Sequence, residues 1–183
     1  MTRWIGPVIA LLVGGIAGFY LVLHALPGVI MGQAMEAFDT LGGGANQVGH
    51  VPRVDESSRN VVRPSPDILY SACLYDLAEG PLNVTVPPLD PERYASVSFF
   101  DARTNNFETI NMRDVQVGET TEIFVYPPTW HTVPGYDLDG MDLVIGSPTR
   151  RGVLLFRQVL AGGVTVEAAD ELRQGLRCEA REF

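Results

Sequence analysis

The chain contains no lysine. All 13 of its basic residues are arginine, set against 22 acidic residues for a net charge of −9. A nucleic-acid-binding surface needs a basic stripe that displaces counterions from phosphates. Here the arginines are scattered and only Arg150 and Arg151 are adjacent, so nucleic acid is excluded as a partner class. Histidine is nearly as scarce, with His24, His50 and His131 alone. The first sits in an apolar run and the second in a glycine-rich stretch, which leaves one for the domain that follows. A His-based zinc site is thereby excluded, and a Ser-His-Asp triad would have only His131 to draw on. The chain has no G-x-S-x-G elbow, no phosphate loop and no dinucleotide fingerprint; no cofactor and no metal are expected. The two cysteines, Cys73 and Cys178, make neither a CxxC nor a zinc pattern. A disulfide and two inert buried thiols both stay open, because pairing depends on compartment and on an approach that sequence does not reveal.

Charge is missing altogether from "WIGPVIALLVGGIAGFYLVLHAL", Trp4 to Leu26, with His24 taken as neutral. That run is long enough to cross a bilayer as a helix. Signal-peptide apolar regions are usually shorter and lead into a small-residue cleavage site, which "LHALPGV" does not supply, so an uncleaved anchor is the reading. Arg3 precedes the run; Glu36 and Asp39 follow it. The positive-inside bias then keeps the N-terminus in the cytoplasm and exports the rest, an inner-membrane, single-pass, periplasmic arrangement. Gly6, Ala10, Gly14 and Gly18 recur every fourth residue and form a ridge against which another membrane helix can pack closely. From Val29, "VIMGQAMEAFDTL" has helical amphipathic spacing, and "GGGANQVGH" reads as a linker. The chain thus divides into an anchor over 1–27, an amphipathic helix and linker over 28–50, and an exported domain over 51–183.

The exported part has β texture. "ILYSACLYDL", "PLNVTV", "RYASVSFFD", "NFETINM", "TEIFVY" and "MDLVIG" are short runs rich in β-branched and aromatic residues, separated by turn clusters such as "PPLDPE" and "DARTNN". This predicts a mainly β, antiparallel sandwich or barrel. "GVLLFRQVL" fits a core strand or a helix by length alone. "VEAADELRQGL", residues 166–176, predicts a short C-terminal helix with Ala169, Leu172 and Leu176 on one face. The acceptor-like "NVT" at Asn83 falls inside a predicted strand and is discounted as a glycosylation site.

Three segments in order, "RPSPDILYSACLYDL", "PLNVTVP" and "RYASVSFFDARTNNF", followed by "SPTRRGVLLFRQVL", resemble a family known by the domain-of-unknown-function label DUF1254. The resemblance covers most of residues 55–160. Ser65 and Ile68 stand where that family often has Asn and Thr. It implies a jelly-roll-like sandwich and no assigned activity. It also implies that longer members continue into a second domain, DUF1214, so that a separate, small, anchored DUF1214-type protein is a natural partner.

The candidate site residues are few. Asp67 follows Pro64 and Pro66, which hold the chain extended; an Asx turn accounts for it, while acid–base chemistry would require Asp101 beside it. Tyr70, in the same stretch, Asn105 in the "DARTNN" loop, and Trp130 with His131 in a proline-rich loop are candidate binding residues. Thr104 belongs with Asn105, and turn chemistry explains both. Asp137, Asp139 and Asp142 fail the calcium-loop spacing. The leading reading is therefore a membrane-anchored periplasmic binding or structural protein, an accessory subunit whose partners are membrane lipid and another anchored protein. The alternatives are an envelope hydrolase or carbohydrate-active enzyme using Asp67 and Asp101, and a small-ligand carrier with a pocket inside the sandwich.

Overall fold

A computed structural model describes residues 2–42, 44–55, 64–78, 80–89, 94–115, 118–130, 138–160 and 165–181. After a single 3-10 turn at Thr2–Trp4, helix α1 runs from Ile5 to Gly42. The apolar run and the amphipathic stretch, distinct in the sequence, are one helix that passes through Pro27. A proline there removes one helical hydrogen bond and crowds the carbonyl four residues back, that of Leu23. Arg103 Nη2 donates to the carbonyl of His24 at 3.2 Å. The first part of α1 is solvent-exposed along its length, and it is long and apolar enough to cross a membrane. The last part turns one face onto the domain. Met31 and Met35 are buried against Ala72, Leu74 and Val153, with Ala34, Phe38, Phe100, Ala102 and Leu155 around them.

Among the described residues, nine strands form two sheets: β1 Val48–His50, β2 Ile68–Asp76, β3 Leu82–Val86, β4 Ala95–Asp101, β5 Asn106–Asn111, β6 Thr121–Tyr126, β7 Leu143–Gly146, β8 Arg151–Val159 and β9 Arg177–Ala180. One sheet has the order β1-β2-β8-β4-β5 and the other β7-β6-β3-β9. Pairings are antiparallel except β6 with β7, which run parallel. "GVLLFRQVL" supplies the centre of the larger sheet, β8, flanked by β2 along Arg151–Val159 and by β4 along 152–158. Two strands arise where none was expected. β1 lies in the stretch read as linker and pairs Val48 with Cys73 and His50 with Ser71. β9, too polar to announce itself, pairs with β3. Even the turn before β1 is tied down, because Asn46 exchanges side-chain bonds with the backbone of Asp76 at 2.8 and 3.0 Å.

Successive residues of a strand face opposite ways. In β2, β8 and β4, Cys73, Tyr75, Leu154, Phe156, Val97 and Phe99 point inward to a core shared with Leu82, Val84, Ile123 and Val125 of the second sheet. Burying each large apolar side chain contributes about 1.5–3 kcal/mol. The two sheets are also joined covalently, by a disulfide between Cys73 of β2 and Cys178 of β9 with Cα atoms 6.5 Å apart. At one end of the core the ring of Tyr75 crosses over Gly152. Its hydroxyl donates to the Phe100 carbonyl at 3.3 Å and bonds Ser147 Oγ at 3.0 Å. Burial pushes this phenol up to about 12.

Helix α2, Val166–Arg173, begins at Thr165, whose hydroxyl accepts the Ala168 N–H at 3.2 Å, a standard N-cap. It ends earlier than the spacing suggested, because the chain must turn into β9. Buried Arg173 pins it to the sheet. Nη1 donates to the carbonyls of Val51 and Tyr70 at 2.9 and 2.7 Å, and the guanidinium pairs with Asp170.

Candidate functional site

The outer face of the larger sheet is divided into two halves by sequence. Ala72, Leu74, Val153 and Leu155 make an apolar half on which the end of α1 lies. Farther along the same strands, Tyr70, Arg157, Ser96 and Ser98 take over. The helix is therefore seated on the domain by its own amphipathic face, and the charge-free run projects away from it. On that run Gly6, Ala10, Gly14 and Gly18 are exposed. A Cβ added at Gly6, Gly14 or Gly18 would meet nothing within 4 Å, so this face packs against no described part of the chain.

A second feature is an open groove of about 410 Å³ at the sheet edge, lined by Asn46, Gln47, His50, Gln174, Arg177 and Glu179. His50 Nδ1 lies 2.9 Å from Ser71 Oγ. Burial, then the positive charge of Arg173, and more weakly that of Arg177, lower the imidazole pKa, with Asp170 opposing. A neutral imidazole beside a hydroxyl has the form of an activated nucleophile, but Ser71 is wholly buried and offers no oxygen to a substrate. His50 was hidden in the sequence because a three-residue strand, Val-Gly-His, carries too little periodicity to show which way its side chains point.

The sequence-derived candidates fall in different places. Asp67 and Asp101 are not brought together. Leu160 N–H bonds the Asp67 carbonyl, while Asp101 pairs with Gly152. These partners are eight residues apart along the line of β8, roughly 27 Å at the rise of an extended strand. Carboxylates in acid–base glycoside chemistry stand within about 10 Å. Asp101 is buried and holds its own hairpin: Oδ1 accepts the N–H groups of Arg103 and Asn105 at 2.8 and 2.9 Å, and Oδ2 accepts Asn105 Nδ2 at 2.8 Å. Thr104 takes the left-handed conformation, φ 67°, that the tight loop requires. Asn105 is thus a loop brace. Ahead of β2, the Ser65 N–H donates to the Tyr70 hydroxyl at 3.0 Å and the Asp67 N–H to Ser65 Oγ at 3.4 Å, so Tyr70 secures the proline turn. Trp130 is half-buried at a turn closed by its N–H on the Pro127 carbonyl. His131 and Asp137 lie outside the described residues. Asn83 and Thr85 both donate to Glu122 Oε2 at 2.9 Å across the sheet. Among the described residues no group of three His, Cys, Asp or Glu is placed to hold a metal ion.

Comparison with known proteins follows the same lines. The family model described as "Protein of unknown function (DUF1254)" matches residues 45–180. No curated protein matches. Among solved structures, the chain is similar to the VPA0106 protein from Vibrio parahaemolyticus, at 17% identity and a TM-score of 0.57, covering 84% of this chain and 35% of that one. It is also similar to an uncharacterized protein from Burkholderia cenocepacia, at 15% identity and a TM-score of 0.50, covering 80% and 37%. These likenesses carry the fold, and the chain spans about a third of the length of either structure.

Proposed function

The chain belongs to the DUF1254 family, and from that premise we propose that it is a membrane-anchored accessory subunit, its sandwich held in the periplasm by α1 and its small-residue ridge packed against the helix of a second anchored protein. The observation that carries this reading is the character of α1. It is one apolar helix, exposed over its span and buried on the domain only at its far end. Continuity through Gly42 and the lack of a small-residue cleavage site favour an anchor that stays attached. Arg3 ahead of the span, with Glu36 and Asp39 behind it, favours a cytoplasmic N-terminus. A disulfide buried between the sheets suits an oxidising compartment. The length of the solved relatives leaves room for a further domain beside this fold, and a DUF1214-type protein is the partner that the family resemblance suggests. The jelly-roll description of the sandwich rests on that resemblance as well.

The test is retention of a stoichiometric membrane partner on the tagged full-length chain in mild detergent. Gly14→Leu with Gly18→Leu introduces bulk where a Cβ meets nothing in the isolated chain, so the fold is expected to survive and partner retention to drop. A partner retained equally by the variant would remove the ridge from the reading, and a chain that purifies alone from native membranes would remove the subunit itself.

A further inference from the structure

Helix α1 meets the sandwich with no slack. Its charge-free stretch from Ile5 to His24 rises about 30 Å, the depth of a bilayer's hydrocarbon core. Pro27 is already half-buried, and Met31 and Met35 are seated on the sheet, all within the same unbroken helix. No loop separates the apolar stretch from the domain. At that junction the β4–β5 hairpin reaches back along the helix, where Arg103 at its tip donates through Nη2 to the carbonyl of His24 at 3.2 Å. The tip therefore lies level with the end of the apolar stretch. Lipid headgroups extend about 5–7 Å beyond the core on either side, so a tip at that level stands among them.

The chemistry of the tip suits that place. Arg103, Thr104, Asn105 and Asn106 are all exposed and polar. Arg150 and Arg151 share Asp76 and Arg173 pairs with Asp170, but among the described residues no carboxylate pairs with Arg103. The hairpin's own acids are occupied. Asp101 is buried and accepts from the Arg103 N–H and from Asn105, and Glu108 accepts the N–H of Thr109. One guanidinium nitrogen is engaged with His24, and the other donors of the planar fork stay open to phosphate oxygens. We propose that the tip of the β4–β5 hairpin is a lipid-contacting surface, with Arg103 binding the phosphate of an anionic phospholipid beside the anchor. This contact rests on the anchoring reading above and adds to it. The helix sets the height of the tip, membrane helices tilt by about 20°, and Arg103 favours the tilt that lowers the hairpin onto the surface.

The experiment places the full-length chain in nanodiscs of phosphatidylglycerol or phosphatidylcholine doped with a lipid carrying a nitroxide on its headgroup. A fluorophore on Asn106→Cys reports the tip. One on Glu171→Cys reports exposed α2, which Arg173 ties to Val51 and Tyr70 at the opposite end of the larger sheet. Cys73 and Cys178 are bonded to each other and take no label. Quenching should be stronger at the tip than on α2, and stronger there in phosphatidylglycerol than in phosphatidylcholine. Arg103→Gln should lower the ratio of contacting to free tips about five-fold in phosphatidylglycerol, the attraction of one basic residue to an anionic surface, and abolish the lipid preference. Arg103→Lys, which keeps the charge, should restore most of it. A clamp of Arg103 on His24 alone would have no lipid preference to lose, so equal lipid responses in the parent and Arg103→Gln would overturn the proposal. Equal quenching at the tip and on α2, in a chain that resists carbonate extraction from native membranes, would overturn the contact and leave the anchor standing. Release of the chain by carbonate would overturn the anchor and the contact together.

Discussion

Removing the bridge between the sheets, by Cys73→Ala with Cys178→Ala, tests how the sandwich is held closed. The cysteines are 105 residues apart in sequence. Closing a loop of that length removes chain entropy worth about 4.7 kcal/mol from the unfolded ensemble. With a urea m-value of about 2 kcal/mol per molar, the unfolding midpoint should fall by roughly 2 M, or the melting temperature by about 10–20 °C for a chain of this size. The slope itself discriminates between causes. If the bridge acts through the unfolded state, the uncrosslinked chain is more expanded when denatured and m should rise. If it acted only through native packing, m would stay fixed. Urea titration of the detergent-solubilised protein, followed by circular dichroism, reads both quantities. Both sulfurs are buried, so a reductant should attack only after opening, and the folded protein should resist alkylation. A midpoint within about 0.5 M of the parent with unchanged m would refute the reasoning.

His50 predicts a pH dependence of stability. Its folded pKa is lowered from 6.5, chiefly by burial and then by Arg173, so the unfolded chain binds the proton more readily. The stability it contributes is present above pH 6.5 and is lost as the pH falls toward the depressed folded value. Urea midpoints at pH 7.5, 6.5 and 5.5 should therefore decline for the parent and decline less for His50→Gln; parallel curves would count against the assignment. Gly152→Ala should destabilise by about 3 kcal/mol, the upper part of the range for overpacking. Its Cβ would run into the Phe100 carbonyl oxygen and the Tyr75 ring, neither free to move while Ser147 holds the Tyr75 hydroxyl. A melting temperature within about 2 °C of the parent would show that the ring can yield.

Legibility in the sequence follows the physics of each segment. The alternation in "LNVTV" predicts β3 because one face is buried and the other meets water, where Asn83 and Thr85 share Glu122. "GVLLFRQVL" resists assignment because β8 is covered on both sides, by the core within and by α1 without. A strand buried on both faces loses its alternation. β1 and β9 are silent because each is short and sends few side chains inward, Val48 from one and Cys178 from the other. Their existence is settled by partners distant in sequence. The same holds for chemistry. Asp101 and Asn105 declare a turn, and a turn is what they build. The row of Tyr70, Arg157 and Ser96 comes from three strands, and no local pattern foretells that they meet.

Because α1 is one helix from its first apolar turn to Gly42, it has a fixed azimuth. At 3.6 residues per turn, Gly14 and Gly18 point about 130° around the axis from the mean direction of Met31, Ala34, Met35 and Phe38, the residues seated on the sheet. The sandwich hangs to one side of the shaft while these two glycines look largely the other way. Were the shaft set in a bilayer as proposed, its rotation would turn the domain with it. A neighbour that gripped the shaft at these glycines would set the compass bearing of the whole sandwich, deciding which of its edges faces along the membrane.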